Sequence, residues 1–167
     1  LKIPNNQIWY TSSNGKIVTP YDSSVFGAAI LSNTYIDGKG VIEFNGDITS
    51  IGKKAFYLCS TLTSIDIPNN VTEIGQTVFY YCSSLKRVTI GNGVTNIGNS
   101  AFYYCENLKG VVIPDSVTSI GESAFFGCEK LRSFNIPGGV TSISKEAFAC
   151  CSSLTSISIP DSITSIG

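Results

Sequence analysis

The most reactive groups that recur in this chain are thiols. Cys59, Cys82, Cys105, Cys128 and Cys151 follow one another at intervals of 23 residues, and Phe56, Phe79, Phe102, Phe125 and Phe148 keep the same step. A thiolate can ligate a soft metal, attack an electrophile or pair into a disulfide. Histidine is absent, which removes the commonest general base and metal ligand at neutral pH. Identical positions on successive coils point the same way, and five thiols cannot pair completely. The spacing therefore favours a buried ladder of free thiols acting as small hydrophobes. Stacked strands lie about 4.8 Å apart, a separation that a disulfide tolerates, so a bridge stays open as the alternative. Cys150 shares a column with Leu58, Tyr81, Tyr104 and Gly127 instead, and is the thiol expected at the surface.

Carboxylates offer little more. A solenoid hydrolase clusters acid and base carboxylates on neighbouring coils, and the strands supply only Asp66, with Glu43 expected one coil earlier. No catalytic residue is assigned, and the chain is expected not to be an enzyme. Asp37-Gly-Lys-Gly40 and Asn45-Gly-Asp47 read as turns, because too few oxygens stand at calcium-ligating spacing; no metal and no cofactor are expected. A net charge of −1 with 14% charged residues provides no broad basic field, which argues against nucleic acid as a partner. No apolar run is long enough to span a bilayer, so direct membrane insertion is not expected either.

The fixed period means a solenoid, because one copy cannot bury its own apolar face and copies must stack. In the copy from Leu85 to Asn107, Val88 and Ile90 alternate as the inward residues of a short strand. A turn follows at a position held by Pro68, Gly91, Pro114, Pro137 and Pro160. A second short extended segment is anchored by Val94 and Ile97. It closes at the column Gly52, Gly75, Gly98, Gly121 and Gly167, where a backbone conformation cheap for glycine is expected, with Ser144 the one departure. Ala101, Phe102 and Cys105 fall on one face of an expected single helical turn.

The strand pattern with a short helix opposite looks like a leucine-rich repeat. More narrowly, Ile113-Pro-Asp-Ser-Val-Thr-Ser-Ile-Gly-Glu-Ser-Ala-Phe-Phe-Gly-Cys-Glu-Lys-Leu131 and its sister copies resemble the BspA-like leucine-rich repeats of bacterial surface proteins. The resemblance covers residues 41–167. It implies an α/β repeat solenoid, a right-handed stack with short parallel strands and short helical turns. It also implies an extracellular or cell-surface protein engaged in adhesion or protein binding, whose signal and anchor lie outside this chain, and it carries over no catalytic residues.

Residues 1–6 repeat a strand and turn, as the end of a preceding repeat, and 41–167 are the regular repeats, the last incomplete. Residues 7–40 read as an irregular insertion. Within it, Ile8-Trp-Tyr10 and Lys16-Ile-Val18 flank Asn14-Gly15, a strong hairpin signal, and Asp22 is placed to cap a short helix through Val25 to Ile30. Trp9, Tyr10 and Tyr21 either cover the end of the core or project toward a ligand. At the other end Ile157, Ile159, Ile163 and Ile166 are expected to be exposed, which makes the last coil the least stable.

Two surfaces follow as binding candidates. Strand positions facing outward form the concave face, with Asp66, Asn135 and a basic stripe of Lys86, Arg87, Lys109 and Arg132; the stripe either keeps the sheet soluble or docks an acidic protein or glycan. Tyr57, Tyr80, Tyr103 and Phe126 form an aromatic flank that either packs on itself or grips sugar rings. One threonine per coil, as at Thr72 and Thr95, is too sparse for an ice-matching face. The sequence therefore reads as an interaction or adhesion module for a host or community protein or glycan, with a non-binding stalk as the alternative.

Overall fold

The computed structural model describes residues 2–167. Its strands are β1 (Gln7–Ser12), β2 (Ile30–Ile36), β3 (Lys39–Phe44), β4 (Ser50–Ile51), β5 (Leu62–Asp66), β6 (Glu73–Ile74), β7 (Arg87–Thr89), β8 (Asn96–Ile97), β9 (Gly110–Val112), β10 (Ser119–Ile120), β11 (Ser133–Asn135), β12 (Ser142–Ile143), β13 (Ser156–Ser158) and β14 (Ser165–Ile166). Each regular coil places one strand in each of two parallel ladders. Ile65, Val88 and Val111 are in register along β5, β7 and β9. Ile51, Ile74, Ile97 and Ile120 are in register along β4, β6, β8 and β10. The alternation that puts Val88 and Ile90 inside also buries Leu85, Val94 and Ile97, so the core is one column of side chains per inward position.

Phenylalanines fill the third side. Phe56, Phe79, Phe102 and Phe125 are fully buried, and their rings stack in near-parallel pairs with centroids 5.0–5.7 Å apart. All six cysteines are free, as the ladder geometry favoured; Cys82, Cys105 and Cys128 are buried, Cys59 and Cys151 half-buried, and Cys150 exposed.

The expected helical turn does not form; among the described residues there is no helix. Its place is taken by tight turns. The amides of Ala101, Tyr103 and Cys105 donate three residues back, to Gly98, Ser100 and Phe102, while those of Ser100, Phe102 and Tyr104 donate to Glu122, Ala124 and Phe126 of the next coil. Alternate amides thus leave the coil, and no i→i−4 ladder can accumulate. The chain makes this corner through two left-handed residues per coil, Ser100 at φ 54° and Tyr104 at φ 52°, and Lys54, Leu58, Thr77, Tyr81, Ser123, Gly127, Glu146 and Cys150 repeat them. Only Gly127 is a glycine there, and the other residues each bear about 1–2 kcal/mol of backbone cost.

The glycine column is also used differently from expectation. Gly52, Gly75, Gly98 and Gly121 do not adopt positive φ. A Cβ on Gly98 would stand 2.6 Å from the Gly75 carbonyl carbon, and one on Gly121 would stand 2.5 Å from the Asn99 nitrogen. The column is small because successive coils touch backbone to backbone there.

At the start of the chain the hairpin lies elsewhere. β2 and β3 form it, turning at Asp37 and Gly38 with φ of 48° and 80°, as a two-residue Asp-Gly hairpin turn requires. Asn14-Gly15 does turn, closed by Lys16 N donating to Asn14 Oδ1 at 3.1 Å and Ser12 Oγ donating to the Lys16 carbonyl at 2.7 Å. Lys16-Ile-Val18 cannot pair with β1, because β3 and β5 occupy both edges of β1 in antiparallel register. The main sheet accordingly runs β2-β3-β1-β5-β7-β9. No helix follows Asp22, whose carboxylate instead accepts from Ser24 N and Oγ. Tyr10 covers the end of the core, 2% exposed, with its ring packed against Gly40, whereas Tyr21 is 60% exposed. At the opposite end Ile157, Ile159 and Ile166 are exposed as expected, whereas Ile163 is half-buried against the core.

Candidate functional site

The outer face of the main sheet carries most of the polar candidates. Strand alternation turns Arg87 and Thr89 out on either side of Val88, which points in, and Lys86 is exposed just ahead of the strand. Lys86, Lys109 and Arg132 occupy one column, each at the residue before a strand, and all three are exposed. Lys109 N donates to the Lys86 carbonyl, so the two backbones are neighbours about one strand spacing apart, ~4.8 Å.

Arg87 behaves differently from the other cations. Its guanidinium donates to Asp66 Oδ1 at 2.9 Å and to Thr89 Oγ1 at 2.6 Å. That is the one ion pair among the described residues, and it leaves Lys86, Lys109 and Arg132 without a carboxylate partner there. Asn135 is exposed on β11, the strand that Arg132 leads into.

β1 extends this face in a way the spacing did not disclose. Ile8 and Tyr10 point into the core, so Trp9 and Thr11 stand outward beside β5. Lys39 Nζ lies 3.1 Å from the Trp9 ring centroid, a cation–π contact. Trp9, Thr11 and Lys39 thus belong to the sheet face rather than to an end cover. The signal was the strict alternation of Ile8 and Tyr10 with Gln7, Trp9 and Thr11. Glu43 and Asp66 are not on adjacent coils, because β1 lies between β3 and β5; a second strand spacing separates these carboxylates, and Asp66 is committed to Arg87.

The aromatic flank lies on the turn side, where Tyr57, Tyr80, Tyr103 and Phe126 are half-buried. Their rings stack at 4.8–5.2 Å with interplanar angles of 5–16°. Stacked rings cover much of one another's faces, and a sugar that stacks on an aromatic needs a free face. Tyr81 and Tyr104 form a second stacked pair alongside. The threonine hydroxyls of Thr72, Thr95 and Thr118 donate to the preceding threonine carbonyl one coil back.

The recurrence of Pro, Val-Thr, Ile-Gly, Ala-Phe and Cys on these coils has a match. The model of the BspA type leucine rich repeat region fits residues 49–167 in 6 copies. This chain belongs to that family. Among solved structures it is similar to a leucine rich cell surface protein from Faecalibacterium prausnitzii A2-165, at 40% identity over 82% of this chain and 36% of that one, with a TM-score of 0.68. A leucine-rich repeat protein from Bacteroides ovatus is 43% identical over 78% of this chain and 32% of its own length, also at 0.68. The Leucine Rich Repeat protein of T. pallidum gives 28% identity over 84% and 68%, again at 0.68. None of the curated proteins matches. This BspA-type chain spans about a third of the Faecalibacterium and Bacteroides chains. The relatives point to a protein-interaction or structural role and to a surface protein, and they indicate no catalytic family. No helix in the described BspA-type coils is long and apolar enough to cross a membrane.

Proposed function

We propose that this chain is an interaction module of an extracellular surface protein, docking an acidic ligand on the outer face of its main sheet. The observation that carries this reading is the column Lys86, Lys109 and Arg132, three exposed cations at one position of successive coils with no carboxylate partner among the described residues. Like charges held in one column repel, and an anion laid along the column relieves that repulsion. Asp66 answers Arg87 alone.

The step between the first two cations, ~4.8 Å, favours one kind of ligand. An extended acidic peptide presents same-face side chains roughly 6.8 Å apart, wider than that step, whereas an acidic glycan is not tied to the strand pitch. An acidic glycan is therefore the favoured ligand and an acidic protein the second choice. Trp9 and Asn135 offer an apolar ring and an amide on the same face.

Binding is tested with dextran sulfate, neutral dextran and polyglutamate at several salt concentrations. Saturable, salt-sensitive binding of dextran sulfate is expected, weakened about tenfold or more, equivalent to about 1.4 kcal/mol, in Lys86→Glu/Lys109→Glu. Stronger binding of polyglutamate would move the assignment to an acidic protein. Absence of saturable binding to either polyanion would leave the chain as a structural spacer.

A further inference from the structure

One seam of the stack is open on one side. Elsewhere each coil donates backbone hydrogen bonds to its predecessor at fixed positions. Lys86 N and Lys109 N donate to the Thr63 and Lys86 carbonyls, Thr95 N and Thr118 N to Thr72 and Thr95, and Gly98 N and Gly121 N to Ile74 and Ile97. Arg132, Thr141 and Ser144 hold the same positions one coil later, and among the described residues none of their amides makes the corresponding bond. Both ladders stop there as well: β9 does not pair with β11, nor β10 with β12. Pairing resumes at once with β11–β13 and β12–β14.

The seam is shut on its other side. Ser123, Phe125 and Gly127 donate to Lys145, Ala147 and Ala149 at 2.9 Å each, and Ser153 N donates to the Glu129 carbonyl at 3.1 Å. The opening therefore runs from Lys109/Arg132 round to Gly121/Ser144, and the turn side holds the coils together. A shallow crevice of about 610 Å³ on the sheet face crosses the opening, reaching from Arg87 and Thr89 on β7 over Val112 to Ser133 and Asn135.

Three residues of one coil account for it. Phe134 stands where other coils carry Ile65, Val88, Val111 and Ile157, and it wedges edge-on against Phe125 and Phe148 at 4.9 and 4.6 Å. Gly139 lacks the hydroxyl with which Ser116 and Ser162 tie their turns to the Val94 and Val140 carbonyls of the preceding coil; Gly93 lacks it too at a joint that stays closed, so this loss opens the seam only together with the other two. Ser144 stands in the glycine column, where a Cβ pushes the backbones apart, and its hydroxyl donates 2.7 Å to the Ile120 carbonyl in place of the missing amide bond.

We propose that this seam is a hinge dividing the basic column, with Lys86 and Lys109 on one rigid stack and Arg132 on the other, so that bending sets the spacing of the anchors for an acidic ligand. The hinge stands on the backbone geometry; its role in binding rests on the docking function proposed above. Bending on the turn-side bonds opens and closes the sheet side without breaking the phenylalanine stack, where Phe125 and Phe148 remain nearly parallel at 5.7 Å.

Native-state hydrogen exchange on the full chain tests the hinge. The amides of Arg132 and Thr141 are expected to exchange about tenfold or more faster than those of Lys109 and Thr118, and also faster than those of Thr155 and Thr164, which lie nearer the end of the chain. Rates equal to those of Lys109 and Thr118 would overturn the hinge, and rates no faster than those of Thr155 and Thr164 would reduce it to fraying from the end. In Phe134→Val/Gly139→Ser/Ser144→Gly the two amides are expected to slow to the level of their counterparts. If that variant folds and they do not slow, the three-residue cause is wrong. Dextran sulfate affinity separates the two proposals: an altered affinity in the triple variant supports the coupling, and an unchanged one overturns it. A probe that binds neither protein overturns the docking function, while the exchange rates still decide the hinge.

Discussion

Cys105 Sγ donates to the carbonyl oxygen of Phe79, one coil back, at 3.1 Å. The same bond joins Cys82 to Phe56, Cys128 to Phe102 and Cys151 to Phe125. A column of small apolar side chains would fill this space; each of these carbonyls already accepts the cysteine amide of its own coil, and the thiol fills the space while adding a second donor from the next coil. Burial pushes each ladder thiol up, Cys59 and Cys151 to about 11 and the three inner ones well above the ordinary thiol value.

Alkylation should follow that division. Native protein treated with iodoacetamide at neutral pH is expected to take one label, at the exposed Cys150, because the thiolate is the reactive form. Peptide mass spectrometry locates it. Label on Cys82, Cys105 or Cys128 without unfolding would contradict the buried ladder.

The same thiols make stability fall in alkali. In the unfolded chain they ionise near about 8.5, while in the folded chain Cys59 and Cys151 hold their protons to about 11. Between those values the folded state binds more protons, so stability declines as pH rises and the contribution is intact below about 8.5. Melting curves from pH 8 to 11 should show a steeper decline for the native sequence than for Cys82→Ala/Cys105→Ala/Cys128→Ala.

Phenylalanine and tyrosine columns should differ in weight. Phe102 is fully buried between two stacked rings, and Phe102→Ala is expected to cost about 3–5 kcal/mol. Tyr81, 39% exposed, should cost about 1 kcal/mol on the same change. Urea denaturation measures both.

Backbone sterics make opposite demands on two positions. Gly98→Ala places a methyl against the Gly75 backbone and should destabilise by about 1–3 kcal/mol. Leu58→Gly, at an exposed residue with φ of 58°, relieves left-handed strain and should stabilise by up to about 1 kcal/mol.

Asp66→Asn separates stability from binding. The Arg87–Asp66 pair is solvent-exposed on the Arg87 side, and such pairs contribute about 0–1 kcal/mol, so the melting temperature should barely move. Arg87 is released to the basic column, and dextran sulfate should bind more tightly.

The repeating coil was legible in the sequence because it is built from nearest-neighbour contacts. A period of 23 makes every inward residue meet its own counterpart, so the strand alternation, the phenylalanine stack and the thiol ladder could all be placed from spacing. The turn side could not. Ala101, Phe102 and Cys105 fit a helical turn, but the next coil takes alternate amides, and a competing intercoil bond leaves no mark on the spacing within one coil. The glycines signalled a special corner, but the expected cause, a backbone conformation, was the wrong one, since contact between coils exists only once they are stacked.

Surface candidates divide the same way. The sequence by itself determined that Lys86, Lys109 and Arg132 share a column, because that depends only on the period. Tertiary structure alone decided that Arg87 leaves the stripe for Asp66 and that Trp9 joins the sheet face, because β1 inserts between β3 and β5 through contacts far apart in the chain. The open seam belongs to both. Phe134, Gly139 and Ser144 are visible departures from the repeat, but each is tolerable singly, and only the packing of one coil against another turns them into a break in two ladders at the same joint.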